Sequence, residues 1–410
     1  MNNGSGERLQ SLDALRGVAV MGILLLNIVG FAMPEAAYIN PRAYGGWHGA
    51  DLAAYLGNFI LFDGKMRALF SMLFGASMLL IIERAKAKGE DPAHVHFRRM
   101  LWLLAFGLAH LWLLWEGDIL AQYAVIGAIA FAARDLPAFR LMVLGTMLVA
   151  FSWLMAAQLP IAVLQHRCCA SSEQQAAEYA LDLAAWARSF GVPSPQVIAA
   201  DIAAHLRSYP DLVRLRFAEH PHGPLPSLIY YGPETLAYMF FGMAGLRSGM
   251  FAGAWPRARY RKWLIVSWGL ALPGYAALAL WAVHAQFDLL VVTAALALAT
   301  PLRPVMALGW ACLILLLAPR LGRLTDRIAA TGRMAFTNYL MTSLICTTLF
   351  YGYGLGWYGH LSRWQLYPVV ALIWALMLLW SQPWLARFRF GPFEWLWRSL
   401  ARGAFQPMHR

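Results

Sequence analysis

The chain is 410 residues long, 60% of them hydrophobic and only 13% charged, with a formal net charge of +12. An ordinary soluble domain carries about 25% charged residues, so the composition excludes a soluble enzyme and points to a polytopic membrane protein. The positive charge gathers in arginine-rich loops and no basic groove interleaved with aromatics is present, which sets nucleic acid aside and leaves the lipid bilayer as the partner.

Hydrocarbon offers the backbone no hydrogen-bond partners, so the inserted chain is expected to be helical throughout. The apolar runs predict an all-α polytopic transmembrane helix bundle of about ten spans with both termini cytoplasmic. Residues 1–164 form an N-terminal half of about five spans and 165–226 a small helical extracytoplasmic insertion. Residues 227–386 form a C-terminal half of about five spans, and 387–410 a cytoplasmic interfacial tail.

Residues 1 to 10 are polar and expected to fray. SLDALRGVAVMGILLLNIVGFAMP follows as a retained first span, because it lacks a small-residue cleavage site. Ser11 or Asp13 can cap it. Asp13 and Arg16, three apart, share a face and can pair near the cytoplasmic interface. Asn27 lies deep in the same helix, either as interhelical glue or as a site residue. Residues 34 to 50 are a turn-rich loop in which His48 is solvated. Residues 51 to 82 are too long for one straight crossing, so a short interfacial helix to Phe62 is expected, then a span from about Met66. Lys65 and Arg67 at that break either snorkel to the headgroups or anchor an anionic substrate. Gly75 and Ser77 permit close helix contact. Residues 83 to 99 read as a basic, cytoplasmic, solvated loop. His94 and His96 within it lack a third ligand, and no CxxC or HExxH pattern occurs, so no metal site is expected.

Arg98 to Tyr123, RRMLWLLAFGLAHLWLLWEGDILAQY, is the stretch on which a function turns. His110 sits inside an apolar helix from about Met100 to Trp115, and a titratable group inside a hydrophobic segment is a site candidate by default. Gly107 and Ala109 leave room for a neighbouring helix. Glu116 and Asp118 follow on the outer side. Along a continuous helix Asp118 lies about 12 Å from His110, beyond pairing. It orients the histidine only if the helix ends early and folds back, and otherwise contacts a substrate.

The chain returns through 119–133 and crosses again at 141–164. In the insertion, Ala180, Leu183, Ala184 and Ala187 follow helical spacing. Ser194-Pro195 reads as an N-cap and first helical position, and HPHGPLP closes the segment. The second half has spans at 228–246, 262–283, 289–317, 336–351 and 366–385. The flanking loops of 289–317 are both basic, so it crosses once, as a helix broken near Thr300 to Pro304. Such a break is tolerated only where it is packed in protein or lines a cavity. Asn338, early in the ninth span, is either helix glue or a substrate contact. FGPFEWLWRSL is an amphipathic helix on the cytoplasmic surface, with Glu394 and Arg398 paired at i, i+4. Cys312 and Cys346 are packing residues, and the adjacent Cys168 and Cys169 are unbridged.

Several blocks together carry a resemblance: LDALRGVAVMGILLLN with FAMPEAAYINP, LFSMLFGAS, FGLAHLWLLWEGDIL, GRMAFTNYL with TSLICTTLFY, and GPFEWLWR. They resemble the YeiB-like family, bacterial membrane proteins classed as a domain of unknown function, over nearly the whole chain except 165–226. The resemblance implies the bacterial cytoplasmic (inner) membrane. LDALRG before an apolar helix is also distantly similar to transmembrane acyltransferases of the heparan-glucosaminide N-acetyltransferase type and to bacterial sugar O-acyltransferases. That likeness implies transfer of an acyl group from cytosolic acyl-CoA, a co-substrate rather than a bound cofactor, to a membrane-associated or extracytoplasmic acceptor that is lipid- or glycan-linked. The O-acyltransferase type has histidine where this chain has Asn27, and the N-acetyltransferase type is similar to this chain in having asparagine.

The base is then expected at His110, tuned by burial and a carboxylate. Asp118 and Glu116 are the other catalytic candidates. Asn27, Arg16, Asp13, Lys65, Arg67 and Asn338 are the candidate substrate contacts, the cations serving donor or acceptor phosphates. The rival reading is a proton-coupled transporter or exporter that uses His110, Glu116 and Asp118 as a relay and the broken helix as its binding site. A third makes His110 a helix–helix hydrogen bond in a scaffold. Substrate identity and oligomeric state stay open.

Overall fold

A computed structural model describes residues 3–410, with side chains from Gln10 onward. The first span, α1 (Asn3–Ala32), is helical from Asn3, where a frayed start is expected, and residues 1 and 2 lie outside the described residues. It stops just before Pro34, because the residue preceding a proline is pushed out of the helical region. The interfacial helix and the span after it are α2 (Gly49–Leu61) and α3 (Lys65–Ala87). Gly64 separates them with φ +70°, a left-handed conformation that glycine takes without a steric penalty.

Residues 83–99 are mostly helical and not the solvated loop their basic composition suggests. Helix α3 runs on to Ala87, and α4 (Pro92–Ala109) starts almost at once, with Asp91 accepting from the Ala93 amide and Pro92 at the first position. His96 is therefore not solvated. It is buried, bonded through Nε2 to the Gly127 carbonyl (3.0 Å) and stacked on Phe131.

Next come α5 (Leu120–Ala130) and α6 (Ala138–Cys168). The 165–226 segment folds as three helices, α7 (Glu173–Phe190), α8 (Pro195–His205) and α9 (Tyr209–Glu219). The side chains of Ser172 and Ser194 cap the first two. The second half holds α10 (Leu225–Arg247), α11 (Arg257–His284), α12 (Leu289–Ala299), α13 (Leu302–Leu317), α14 (Arg323–Arg333), α15 (Ala335–Phe350), α16 (Leu366–Arg387) and α17 (Pro392–Arg402). Among the described residues there is no strand, only an isolated bridge between Phe388 and His409.

Among the described residues, seven helical stretches are long and apolar enough to cross a bilayer: 10–32, 49–87, 92–114, 138–168, 257–284, 302–320 and 366–387. Three of the expected spans fall short of that standard. The 11 residues of α5 and the 16 of α15 cover roughly 17 and 24 Å at 1.5 Å per residue, against a hydrocarbon core of about 30 Å. Helix α10 is long enough but carries Pro233 and the buried Glu234. The break between α12 and α13 falls at Thr300–Pro301, inside the region where the sequence places it.

Helix α10 packs against α3, α5 and α6, and α1 packs against α3, α14 and α15. The α3–α10 approach is at backbone contact. A Cβ on Gly75 would lie 2.2 Å from the Met239 carbonyl oxygen, and one on Gly242 would lie 1.7 Å from that of Met72. The tail helix also departs from expectation. Glu394 does not make a surface pair with Arg398. It turns inward and accepts the Phe336 and Thr337 amides (2.8 and 3.0 Å) and the Thr337 hydroxyl, capping α15 with negative charge. Arg398 lies instead over the Phe390 ring.

Candidate functional site

Helix α4 does not run on to Trp115 as an α-helix. At His110–Leu114 it widens into a single π turn closed by the Trp115 amide on the His110 carbonyl (2.8 Å), and Trp115 is fully extended. Such turns are local strain that recurs at functional sites. The chain then doubles back into α5. Gly107 makes room for this return, since a Cβ there would meet the Ala121 amide at 2.2 Å.

The fold-back brings Asp118 onto His110. His110 Nδ1–H donates to Asp118 Oδ1 (2.9 Å), and Asp118 Oδ2 accepts the Ala121 amide (2.8 Å). The 12 Å separation expected for a continuous helix is thus replaced by direct contact. A carboxylate only accepts, so Nδ1 carries the ring proton and Nε2 is left as an acceptor. Facing Nε2 at 2.9 Å is the hydroxyl of Ser343 on α15. Ser343 has a weaker alternative in the Tyr339 carbonyl at 3.4 Å, so its proton points to the imidazole. The result is a continuous Asp118–His110–Ser343 chain, with both titratable side chains only 1% exposed. Trp115, stacked on Phe31, and Tyr339 wall the imidazole off.

Ser343 and Tyr339 also line a crevice of about 10 Å³, room for one water, with Val20, Leu24 and Asn27 of α1 opposite. Asn27 is half-buried and has no hydrogen-bond partner among the described residues. Of the substrate-contact candidates, it is the one the fold brings beside the histidine.

The remaining candidates lie elsewhere. Glu116 turns away from His110 to the 165–226 segment. It accepts from Arg216 Nε (3.3 Å) and the Tyr351 hydroxyl (3.4 Å), with His205 Nε2 at 3.8 Å. His205 also pairs with Asp201 (2.8 Å) and stacks on Tyr358. Burial alone would raise the Glu116 carboxyl, but the His205 hydrogen bond and charge, then Arg216, hold it at about 2. Burial would depress His205, yet Asp201 and Glu116 push it up to about 10. This cluster docks α8 and α9 onto the bundle.

Lys65 is fully buried and does not snorkel. Its ammonium donates to the Phe59 carbonyl and sits 3.4 Å from the Tyr275 ring centroid. Arg67 pairs with Glu234, which also receives Arg303 from the first turn of α13 (3.0 Å) and the Tyr238 hydroxyl (2.6 Å). Asp13 and Arg16 pair at 2.8 Å, and Arg16 reaches Ser77. Asp13 lies about 21 Å and Arg16 about 16 Å down α1 from Asn27, at the rise of one helix. Asn338 donates to the Thr331 carbonyl and Ser381 and accepts from Trp380, tying α14, α15 and α16 together. Sequence reasoning missed Ser343, Glu234, Arg303, His205 and Arg216. Glu234 carries a readable signal, a carboxylate inside an expected span. Ser343 carries none.

Residues 246–404 match the family described as a protein of unknown function (DUF418). The chain is 32% identical to the uncharacterized protein YeiB of Escherichia coli (strain K12) over 410 residues, which cover 98% of each chain. It is 30% identical to the uncharacterized protein YxaH of Bacillus subtilis (strain 168), over 98% of this chain and 96% of that one. It is 26% identical to an uncharacterized 39.9 kDa protein in the amylase 3' region of Bacillus acidopullulyticus, over 96% and 94%. No solved structure matches. At such coverage the likeness takes in residues 165–226 as well, where the sequence blocks had left a gap. The chain belongs to the YeiB-like family of unknown function.

Proposed function

We propose that this protein is an integral membrane acyltransferase of the bacterial cytoplasmic membrane, with ten spans and both termini cytoplasmic. It moves an acyl group from cytosolic acyl-CoA to a membrane-associated or extracytoplasmic acceptor. One observation carries the reading: the buried Asp118–His110–Ser343 chain opens on a crevice where Asn27 offers an unpaired amide. The one-water crevice between α1 and α15 has to widen to admit a thioester, and His110 then takes the Ser343 proton as Ser343 Oγ attacks the thioester carbonyl. The C–S bond breaks, the coenzyme thiolate takes that proton from His110, and Ser343 carries the acyl group. An acceptor hydroxyl or amine then attacks the ester, gives its proton to His110, and the proton returns to Ser343 Oγ. The Asn27 amide supplies a hydrogen bond to the carbonyl oxygen as negative charge develops there.

The test is intact-mass and peptide mapping of the detergent-purified chain with acetyl-CoA and longer acyl-CoAs, without acceptor. An acyl mass on Ser343, absent in His110→Ala and Ser343→Ala, is the expected result. Neither adduct nor thioester turnover at any chain length, in folded protein, sinks the reading. The transporter alternative draws on a different observation, Arg303 beside the α12–α13 break bonded to Glu234. Flux through proteoliposomes without chemical change would favour it.

A further inference from the structure

At the end of the bundle that holds Asp13 and Arg16, the end of α3, the start of α4 and helix α17 frame an open-sided cavity of about 510 Å³. That is the size of a pocket for a cofactor or drug-sized ligand. Its wall carries Arg84, Lys88, Arg98, Arg99, Arg398 and Arg402. Two carboxylates stand against these six cations, and both are engaged: Glu90 accepts from Arg402 (2.8 Å), and Asp91 caps the Ala93 amide (2.9 Å). The Arg99 guanidinium lies 4.1 Å over the Trp397 ring, with its Nε buried and unpartnered among the described residues. Desolvation, then the like charges of Arg84, Arg16 and Arg402, push Arg398 below its ordinary value, with Glu394 pulling the other way.

Like charges repel, yet six cations line one open-mouthed cavity: Arg84, Lys88, Arg398 and Arg402 are exposed at its mouth and Arg98 and Arg99 are half-buried deeper in its wall, the five arginines offering the fork geometry that suits phosphate oxygens. We infer that this cavity is a binding site for a ligand bearing two or more phosphate groups. Two sources supply that chemistry: a soluble coenzyme with a diphosphate bridge, or a diphosphate lipid headgroup of the inner leaflet. The proposal stands on the lining and not on acyl transfer. The coenzyme source would join the two, because Arg99 and His110 share α4 and lie about 16 Å apart along it.

The test is calorimetry of the detergent-purified full chain with coenzyme A and with inorganic pyrophosphate, and native mass spectrometry with cardiolipin. The comparison is between wild type, the Arg84→Gln/Arg398→Gln double variant, and Arg261→Gln as an exposed control away from the cavity. At least one diphosphate probe should bind, be displaced by pyrophosphate, and weaken roughly tenfold or more in the double variant but not in the control. Coenzyme A as the tighter probe assigns the soluble source, and cardiolipin the lipid source. Should the double variant misfold, the wild type still decides: affinity must fall steeply with salt. No binding by any probe, salt-independent binding, or binding indifferent to the double substitution overturns the site. Phosphate binding without acyl transfer overturns the reaction proposed above and leaves the site standing, and acyl transfer with no phosphate binding does the reverse.

Discussion

Replacing Asp118 by asparagine separates the role of the carboxylate in orienting His110 from its role in holding the fold. Asp118 accepts two hydrogen bonds, from His110 Nδ1 and from the Ala121 amide. An asparagine oxygen can keep one of them, and its NH2 group then faces the imidazole. The ring answers by moving its proton to Nε2, so that Nδ1 accepts from the amide. The geometry survives, and stability should change by about 1 kcal/mol. The cost falls on chemistry, since an Nε2–H cannot take a proton from Ser343. A wrong tautomer in such a chain lowers turnover by roughly 10⁴-fold, about 5 kcal/mol of barrier. Asp118→Ala differs in kind. It orphans two buried donors at about 1–3 kcal/mol each and should lower the melting temperature markedly. The assay is the rate of Ser343 acylation by acyl-CoA beside a thermal melt of the same preparation. An Asp118→Asn protein that melts like wild type and acylates within tenfold of it would refute the reasoning.

Other substitutions test the frame around the site. Glu234→Gln leaves Arg67 and Arg303 buried around a neutral amide and should cost about 3–5 kcal/mol in a thermal or denaturant melt. Gly242→Ala drives a methyl into the Met72 carbonyl and should destabilise the α3–α10 pair by roughly 3 kcal/mol or more, seen as a lower melting temperature. His205 is raised from 6.5 to about 10, so its contribution to docking the insertion is full below about pH 6.5 and lost as pH rises through 10. Glu116, lowered from 4.5 to about 2, contributes above about pH 4.5 and fails as pH falls through 2. Amide protection over 165–226, taken relative to the intrinsic exchange rate at each pH, should therefore fall in alkali, and His205→Gln should flatten that fall at a cost of about 1–3 kcal/mol.

Much of the frame was legible because it depends on local chemistry. Apolar run length, the Ser194 cap of the insertion, the break between Phe62 and Met66 and the break near Thr300–Pro301 each follow from residues within a few positions. What stayed hidden depends on long-range meetings. The Ser343 hydroxyl and the His110 ring are 233 positions apart, and nothing in TSLICTTLF distinguishes this serine from its threonine neighbours. Glu116 and Asp118 look equivalent in sequence, yet one faces the insertion and the other the histidine. Glu394 was misassigned because an i, i+4 partner is readable in sequence while the unsatisfied amides of a distant helix are not.

The loop after α4 shows why the helix has to end where it does. A regular helix through Trp115 would carry Asp118 about 12 Å beyond His110 and leave the imidazole without an anion. A lone imidazole here would still accept from Ser343, but its tautomer would be unspecified. The π turn shifts the register by one residue, extended Trp115 breaks the helix, and Asp118 returns to fix the proton on Nδ1. The same return places the Asp118 carboxylate over the first turn of α5, where the Ala121 amide holds it. Each feature would be a local defect alone. Together they convert a costly buried histidine into one with a defined donor side and a defined acceptor side, and the acceptor side is the one that meets the Ser343 hydroxyl at the crevice lined by Asn27.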